Sequence, residues 1–204
     1  MSRYSVEEMR LRLARRLDPA GSERRGDLDL NPDVEWPTRR PLTPAAVLVP
    51  LIDRPEGAMV LLTQRTDHLS DHAGQISFPG GRVEPEDTGP VATALREAEE
   101  EIGLDVCHVE VIGRLDIYET GTGFSITPIV GIIDPSFSLN LDSFEVADVF
   151  EVPLDFVLDR RNHEHHSRTF DGVERHFHAL PYQNRFIWGA TAGMLVDLYE
   201  KLCA

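Results

Sequence analysis

Lysine is almost missing from this chain of 204 residues: Lys201 is the single one, and the remaining positive charge is arginine. That bias reflects either codon usage or a need for the planar fork with which arginine grips phosphate and carboxylate. Cysteine is scarce too. Cys107 and Cys203 have neither the spacing of metal ligands nor the density of a disulfide scaffold, which points to free thiols in a reducing, cytoplasmic setting. Long apolar runs are missing. The run "AAVLVPLI" at 45–52 falls well short of the roughly 18 residues a membrane span needs, and "MSRYSVEEMR" lacks the apolar centre of a secretory signal. Positive charge is also outweighed: the formal net charge of -15 argues against a general nucleic-acid surface, which wants a basic stripe. There are no internal repeats or low-complexity tracts.

What is present is ordinary globular material, 41% hydrophobic and 27% charged, enough for one core of about 150 residues plus extensions. The segment "YSVEEMRLRLARRL" spaces Val6, Met9, Leu11, Leu13 and Leu17 as a peripheral amphipathic helix with Ser5 as its cap. Residues 18–43, charged and broken by Pro37 and Pro41, show no sustained period and read as a connecting arm. Residues 1–43 are therefore expected to be helix and arm, and 44–204 the main domain. Within it, "AAVLVPLI" and "GAMVLLTQR" flank "DRPEG" as a hairpin. "HVEVIGRLDIY", "FSITPIVGII" and "ADVFEVPL" add β-branched and aromatic strands, and "LDFVLD" reads as a short helix. "SRTFDGVERHFHAL" turns back at Asp171-Gly172. The closing "IWGATAGMLVDLYEKL" puts Ile187, Ala190, Met194, Leu195 and Leu198 on one stripe of a helix packed on the sheet. The fold class expected is α/β (α+β), a mixed, mostly antiparallel sheet packed between helices.

The chemistry concentrates in "FPGGRVEPEDTGPVATALREAEEEIGL", residues 78–104. Pro90 suits a first helical position, where its missing amide had no partner anyway, and Gly103 suits a stop. At about 100° per residue, Val91, Ala94, Leu95, Ala98 and Ile102 define a core side. Glu97, Glu100 and Glu101 then fall at about 240°, 180° and 280° from Val91, on the far arc, while Glu99 at about 80° is off it. Such like charges repel at these spacings. A solvated acidic face is one reading. The other is a site for Mg²⁺ or Mn²⁺, whose hard oxygen shell also accepts phosphate oxygens and activates water.

Gly81, Asp87 and "REAEEEIGL" resemble the Nudix box, a glycine and an acid followed by Arg-Glu-apolar-x-Glu-Glu-x-Gly-apolar. The resemblance implies a Nudix fold and a diphosphate hydrolase. Glu97, Glu100 and Glu101 match the family's metal ligands, the Gly80 carbonyl completes the set, and Arg96 orients the carboxylates by pairing within the helix, with Glu100 above all. Asp87 stands where the general pattern has glutamate. The upstream "LLTQRTDHLSDHAGQISFPGG" at 61–81 is similar to the additional motif of the coenzyme A pyrophosphatase branch, with Thr66 and Ser70 departing from it. Arg65 and Arg82 flank the expected diphosphate, Arg65 being the first candidate to read a 3′-phosphate, and His68 and His72 line the substrate. Glu145 lies where many Nudix enzymes place an extra ligand or base. The histidines His163, His165 and His166 of "HEHH", with His176 and His178, read as an exposed polar hairpin rather than a zinc site.

The activity implied is Mg²⁺- or Mn²⁺-dependent cleavage of coenzyme A or its thioesters to 3′,5′-ADP and 4′-phosphopantetheine or its acyl form. The alternatives are the same chemistry on ADP-ribose or a dinucleotide, or a non-catalytic nucleotide-binding module. The partner is a small nucleoside diphosphate compound, not nucleic acid or membrane, and the sequence leaves the oligomeric state open.

Overall fold

The computed structural model describes residues 6–16, 23–34, 41–68, 72–170 and 172–203. Ser5, Leu17, Pro37, Ser70 and Asp171, all used above, lie outside them. The chain runs α1 (Val6–Arg16), β1 (Arg24–Gly26), β2 (Thr43–Arg54), β3 (Gly57–Arg65), β4 (Ile76–Ser77), β5 (Gly80–Arg82), α2 (Pro90–Ile102), β6 (Val109–Arg114), β7 (Ile117–Glu119) and β8 (Phe124–Ile133). It continues through β9 (Val146–Pro153), α3 (Leu154–Val157), β10 (Glu164–Phe170), β11 (Val173–Tyr182), β12 (Arg185–Trp188) and α4 (Gly189–Cys203).

The large sheet has the order β1-β7-β8-β2-β3-β4, with β5 added to β2, β6 to β8 and β9 to β3. Its centre is the parallel pair β2·β8, in register from Thr43↔Phe124 to Ile52↔Ile133. Both faces of β2 are covered, so residues 45–52 are buried without a break, as the unalternating "AAVLVPLI" requires. Pro50 can stand in so central a strand because pairing to β5 ends at Val47↔Gly80 and pairing to β3 begins at Leu51↔Val60. A missing amide in that gap costs no ladder bond.

Two cores flank the sheet. On one face Ala94, Ala98 and Ile102 of α2 pack on Ala46, Leu48, Leu61 and Ile129. On the other, α4 contributes Leu195, Leu198 and Leu202 to a core with Val60, Leu62, Leu115 and Val130, closed by Met9 and Leu13 of α1. The second sheet, β10-β11-β12, lies on this side, with Leu180 and Ile187 in the same core.

Two expectations need correcting. The closing helix is not striped: residues 191–198 of α4 are all buried, because the large sheet, the second sheet and α1 cover it from several sides. The arm is not structureless either. Its β1 pairs in parallel with β7, and the Asn31 amide, buried beside β11, donates to His176 O at 2.9 Å and accepts from His176 N at 2.7 Å. A side-chain amide thus supplies both partners that a neighbouring strand would have offered. Sequence periodicity cannot show such pairing, since a three-residue strand has no period to read. The remaining hairpins match expectation, including Phe170↔Val173 beside Gly172. Cys107 and Cys203 form no disulfide, and both are exposed.

Candidate active site

Gly89 caps α2 with Pro90 behind it, and Gly103, left-handed at φ 67°, returns its amide to Glu99 O and stops the helix. The helix is rotated from the orientation that its apolar residues suggested. Val91 is exposed, while Thr93, Ala94, Ala98, Glu101 and Ile102 are buried. The buried arc is therefore centred near 300° rather than 0°, and Glu101 lies in its middle at 5% exposure. The cause is β5, which folds back over this side of α2. A Cβ on Gly80 would strike the backbone of Ala46 and Val47, and one on Gly81 would run into the Glu97 carboxylate. Gly80 is the clearance that lets β5 lie against β2, and Gly81 the clearance that lets it lie against Glu97.

The carboxylates divide into two groups. Arg96 donates from Nε to Asp87 Oδ1 at 3.1 Å and from a terminal nitrogen to Asp87 Oδ2 at 3.0 Å. Its other terminal nitrogen reaches Glu97 Oε1 at 3.0 Å and Glu100 Oε2 at 2.9 Å. The expected Arg96–Glu100 pair is there, and Asp87 proves to be the arginine's main anchor. Asp87 also accepts from Thr93 Oγ1 at 2.8 Å and from the Glu84 amide at 2.9 Å, and these bonds, led by Arg96, hold its carboxyl well below the usual range. Glu100 stays exposed at 60% of its side chain.

Glu101 has no such partner. It accepts from the Gly80 amide at 3.2 Å, and the nearest cation is an Arg65 nitrogen at 3.8 Å. Burial first, then the charges of Glu97 and Glu145, raise its pKa to about 8 against the opposing pull of the Gly80 amide and Arg65. Burial raises Glu97 as well, with Arg96 opposing. Glu97 and Glu101 thus lack the cation partners that would hold both ionised, and their hard oxygens fit a divalent cation. The three expected ligands do not converge, however: Glu100 is turned to Arg96, and no group of three ligand-type side chains assembles among the described residues.

Arg65 faces Glu101 from its strand. Glu145 sits in the turn before β9 and is felt by both buried glutamates. It is fixed by Thr66, whose amide donates to Glu145 O at 3.0 Å and whose hydroxyl donates to Phe144 O at 2.8 Å. Neither Thr66 nor Phe144 stood out as functional in the sequence. The exposed Phe144, next to Glu145 in the chain, carries His68 edge-on at 4.8 Å. His72, in a left-handed conformation at φ 57°, bonds Gln75. Arg82 is exposed over the Phe124 ring, and its carbonyl accepts from Arg96.

Away from this site, His163 is buried on Val157 O, while His165 and His166 are exposed on β10. His165 meets His178 across the strand pair at 4.6 Å.

A family model for the NUDIX domain matches residues 42–172. The chain belongs to the Nudix hydrolase family. Uncharacterized Nudix hydrolases NudL from Yersinia pestis (strain Pestoides F) and Yersinia pseudotuberculosis serotype O:1b are each 40% identical over 158 residues, which is 78% of this chain and 79% of theirs. A crystal structure of a MutT/nudix family protein from Enterococcus faecalis shares the fold, with a TM-score of 0.50 at 16% identity over 98% of this chain and 75% of that one. This Nudix enzyme is accordingly a hydrolase of nucleoside diphosphate derivatives, in a family that generally uses divalent metal ions. Among the described residues no helix is long and apolar enough to cross a membrane.

Proposed function

We propose that this Nudix hydrolase cleaves the diphosphate of coenzyme A or its thioesters with Mg²⁺ or Mn²⁺, in the cytoplasm, giving 3′,5′-ADP and 4′-phosphopantetheine or its acyl form. One observation carries the reading. The segment 61–81, whose sequence resembles the coenzyme A branch, is built into the glutamate site: Arg65 and the Gly80 amide both meet Glu101, Thr66 fixes Glu145, and Gly81 lies against Glu97. The two exposed thiols suit a reducing compartment.

Glu97 and Glu101 would hold the cation with the Gly80 carbonyl, and Glu100, whose side chain is exposed and paired to Arg96, would be the third carboxylate. A divalent cation there supplies neutralising charge at the phosphate oxygens and a water of lowered pKa. Arg96 keeps Glu97 in place by anchoring itself on Asp87. Arg65 offers its fork to a diphosphate oxygen, with Arg82 beside Gly81 on the other flank. Glu145 would serve as an extra ligand or as the base that takes the proton of the attacking water, and His68 and His72 would border the approach. Product-resolved kcat/KM values for coenzyme A, dephospho-coenzyme A and ADP-ribose test the substrate. Fastest cleavage of coenzyme A or a thioester is expected, and faster cleavage of ADP-ribose would move the enzyme to another branch.

A further inference from the structure

The face of β3 turned away from the glutamates borders a second cavity. Along β3, Leu61 packs with α2 while Val60 and Leu62 face the α4 core. Alternation then sends Arg65 to the glutamates and Gln64 to the opposite side. There, between β3, the segment 73–76 and the second sheet, lies an open cleft of about 520 Å³, within the range of small-molecule sites. Gln64, Gln75, Arg168, Asn184, Phe186 and Trp188 are in its wall, and among the described residues the wall contains no acid. In a chain with 35 acidic residues against 20 basic ones, that marks a locally reversed charge.

The register of the second sheet explains what this wall presents. Arg168, His166, Phe177, Trp188 and Phe186 share its outward face, opposite the face on which Leu180 and Ile187 enter the core. The rings form a contact chain: His166 lies 5.5 Å from Phe186 and 6.0 Å from Phe177, and Phe177 lies 5.2 Å from Trp188. Phe186 remains 44% exposed. Arg168 stands directly opposite Arg175 in the β10·β11 pair, and both guanidiniums lie over Phe170 at 5.5 and 5.6 Å. Arg168 has no carboxylate partner among the described residues, whereas Arg185, also in the wall, is committed to Asp148 at 2.5 Å and to Gln64 at 2.9 Å.

We infer that this cleft binds a nucleoside phosphate, with the phosphate on Arg168, the base against Trp188 and Phe186, and the amides of Gln64 and Asn184 at its polar edge. Aromatic side chains accept a base face with little regard to sequence, and arginine forks match phosphate oxygens. The site does not depend on the substrate chosen above. The nucleotide is either the nucleoside end of a substrate reaching over the β4 edge or a free nucleotide bound apart from catalysis.

Trp188 reports on its own site. In a Trp36→Phe background, AMP is titrated in the presence of EDTA, so that no metal recruits it to the glutamates. Saturable quenching of Trp188 is expected, with Arg168→Ala weakening the affinity about tenfold or more while circular dichroism stays native. Glu97→Gln should leave the affinity unchanged. Absence of saturable quenching at millimolar AMP overturns the inference. So does an affinity that falls with Glu97→Gln but not with Arg168→Ala, since the nucleotide then sits at the glutamates. Steady-state hydrolysis separates the two sources: competitive inhibition by AMP together with a raised KM in Arg168→Ala identifies the substrate's own nucleoside. Noncompetitive modulation by AMP with an unchanged KM identifies a free nucleotide. A protein that binds AMP in the cleft but hydrolyses no diphosphate would sink the proposed function and leave this site standing.

Discussion

Two arginines in this protein each gather three carboxylates, and only one of the two clusters is closed. Arg25 on the arm meets Asp116 at 3.0 Å, Asp197 at 3.3 Å and Glu200 at 2.5 Å, and Lys201 adds a second cation 2.8 Å from Asp116. Arg96 meets Asp87, Glu97 and Glu100 within 3.0 Å, but among the described residues no second cation comes so near: Arg65 stays 3.8 Å from Glu101. Burial lifts one carboxyl in the first cluster, Asp197, to about 6, and Glu101, next to the second, to about 8. The difference follows the cations. Where the charges close on themselves they fasten the arm to the core; where they are left short they are available to a metal.

The comparison breaks most visibly at Glu101. Glu101→Gln should lower turnover by about a hundredfold or more, because it removes a charge used mainly in the transition state. The metal-free protein should melt no lower than the wild type, since a buried, poorly paired carboxylate is lost. Near-normal turnover at saturating Mg²⁺ would refute the assignment. Swapping the two arginines for methionine tests the division of labour. Arg25→Met should cost about 3 kcal/mol of stability by leaving buried acids short of a partner, with kcat per folded molecule little changed. Arg96→Met should do the reverse, lowering kcat about tenfold or more with a smaller change in urea midpoint. Equal effects of both on kcat would erase the distinction.

The raised carboxyls sharpen the contrast through pH. Metal binding to Glu101 must expel its proton, so apparent affinity for Mn²⁺ should climb from pH 6 to about 8. Calorimetry at pH 7 in two buffers of different ionisation enthalpy should detect the released proton, and identical heats would contradict the burial argument. Asp197 gives a weaker signal of defined sign. Its folded pKa, about 6, lies above the ordinary carboxylate value, so the folded state holds a proton that the unfolded state has lost. This group's contribution is full below about pH 4 and is lost as pH rises through 6. Asp197→Asn should therefore help more at pH 7 than at pH 4, by a few degrees in Tm, and the opposite order would reject the shift. The smallest effect belongs to Glu99→Gln. Glu99 is exposed and off the acidic arc, so kcat should stay within about twofold; a loss like that of Glu101→Gln would mean the helix is turned differently.

The sequence by itself determined the elements and the chemistry. Proline, glycine and apolar period bound α2 correctly, Asp171-Gly172 announced the β10·β11 hairpin, and the unbroken run at 45–52 required a strand covered on both faces. The spacing of Arg96 and Glu100 at i,i+4 was enough to pair them, since one helical turn brings those side chains together whatever the rest of the chain does. The tertiary structure decided which way each element was turned. Glu101 moved from an expected solvent face to the interior because β5, held to β2 through two glycines, covers that side of α2. The arm became a strand and a side-chain bridge because β7 and β11 had unpaired backbone to offer. Arg65 and Gln64, adjacent in sequence, were sent to opposite sides of one strand, to the glutamates and to the cleft. Local patterns record the preferences of a segment for its own conformation, whereas burial, pKa and pairing depend on neighbours that only the folded chain supplies.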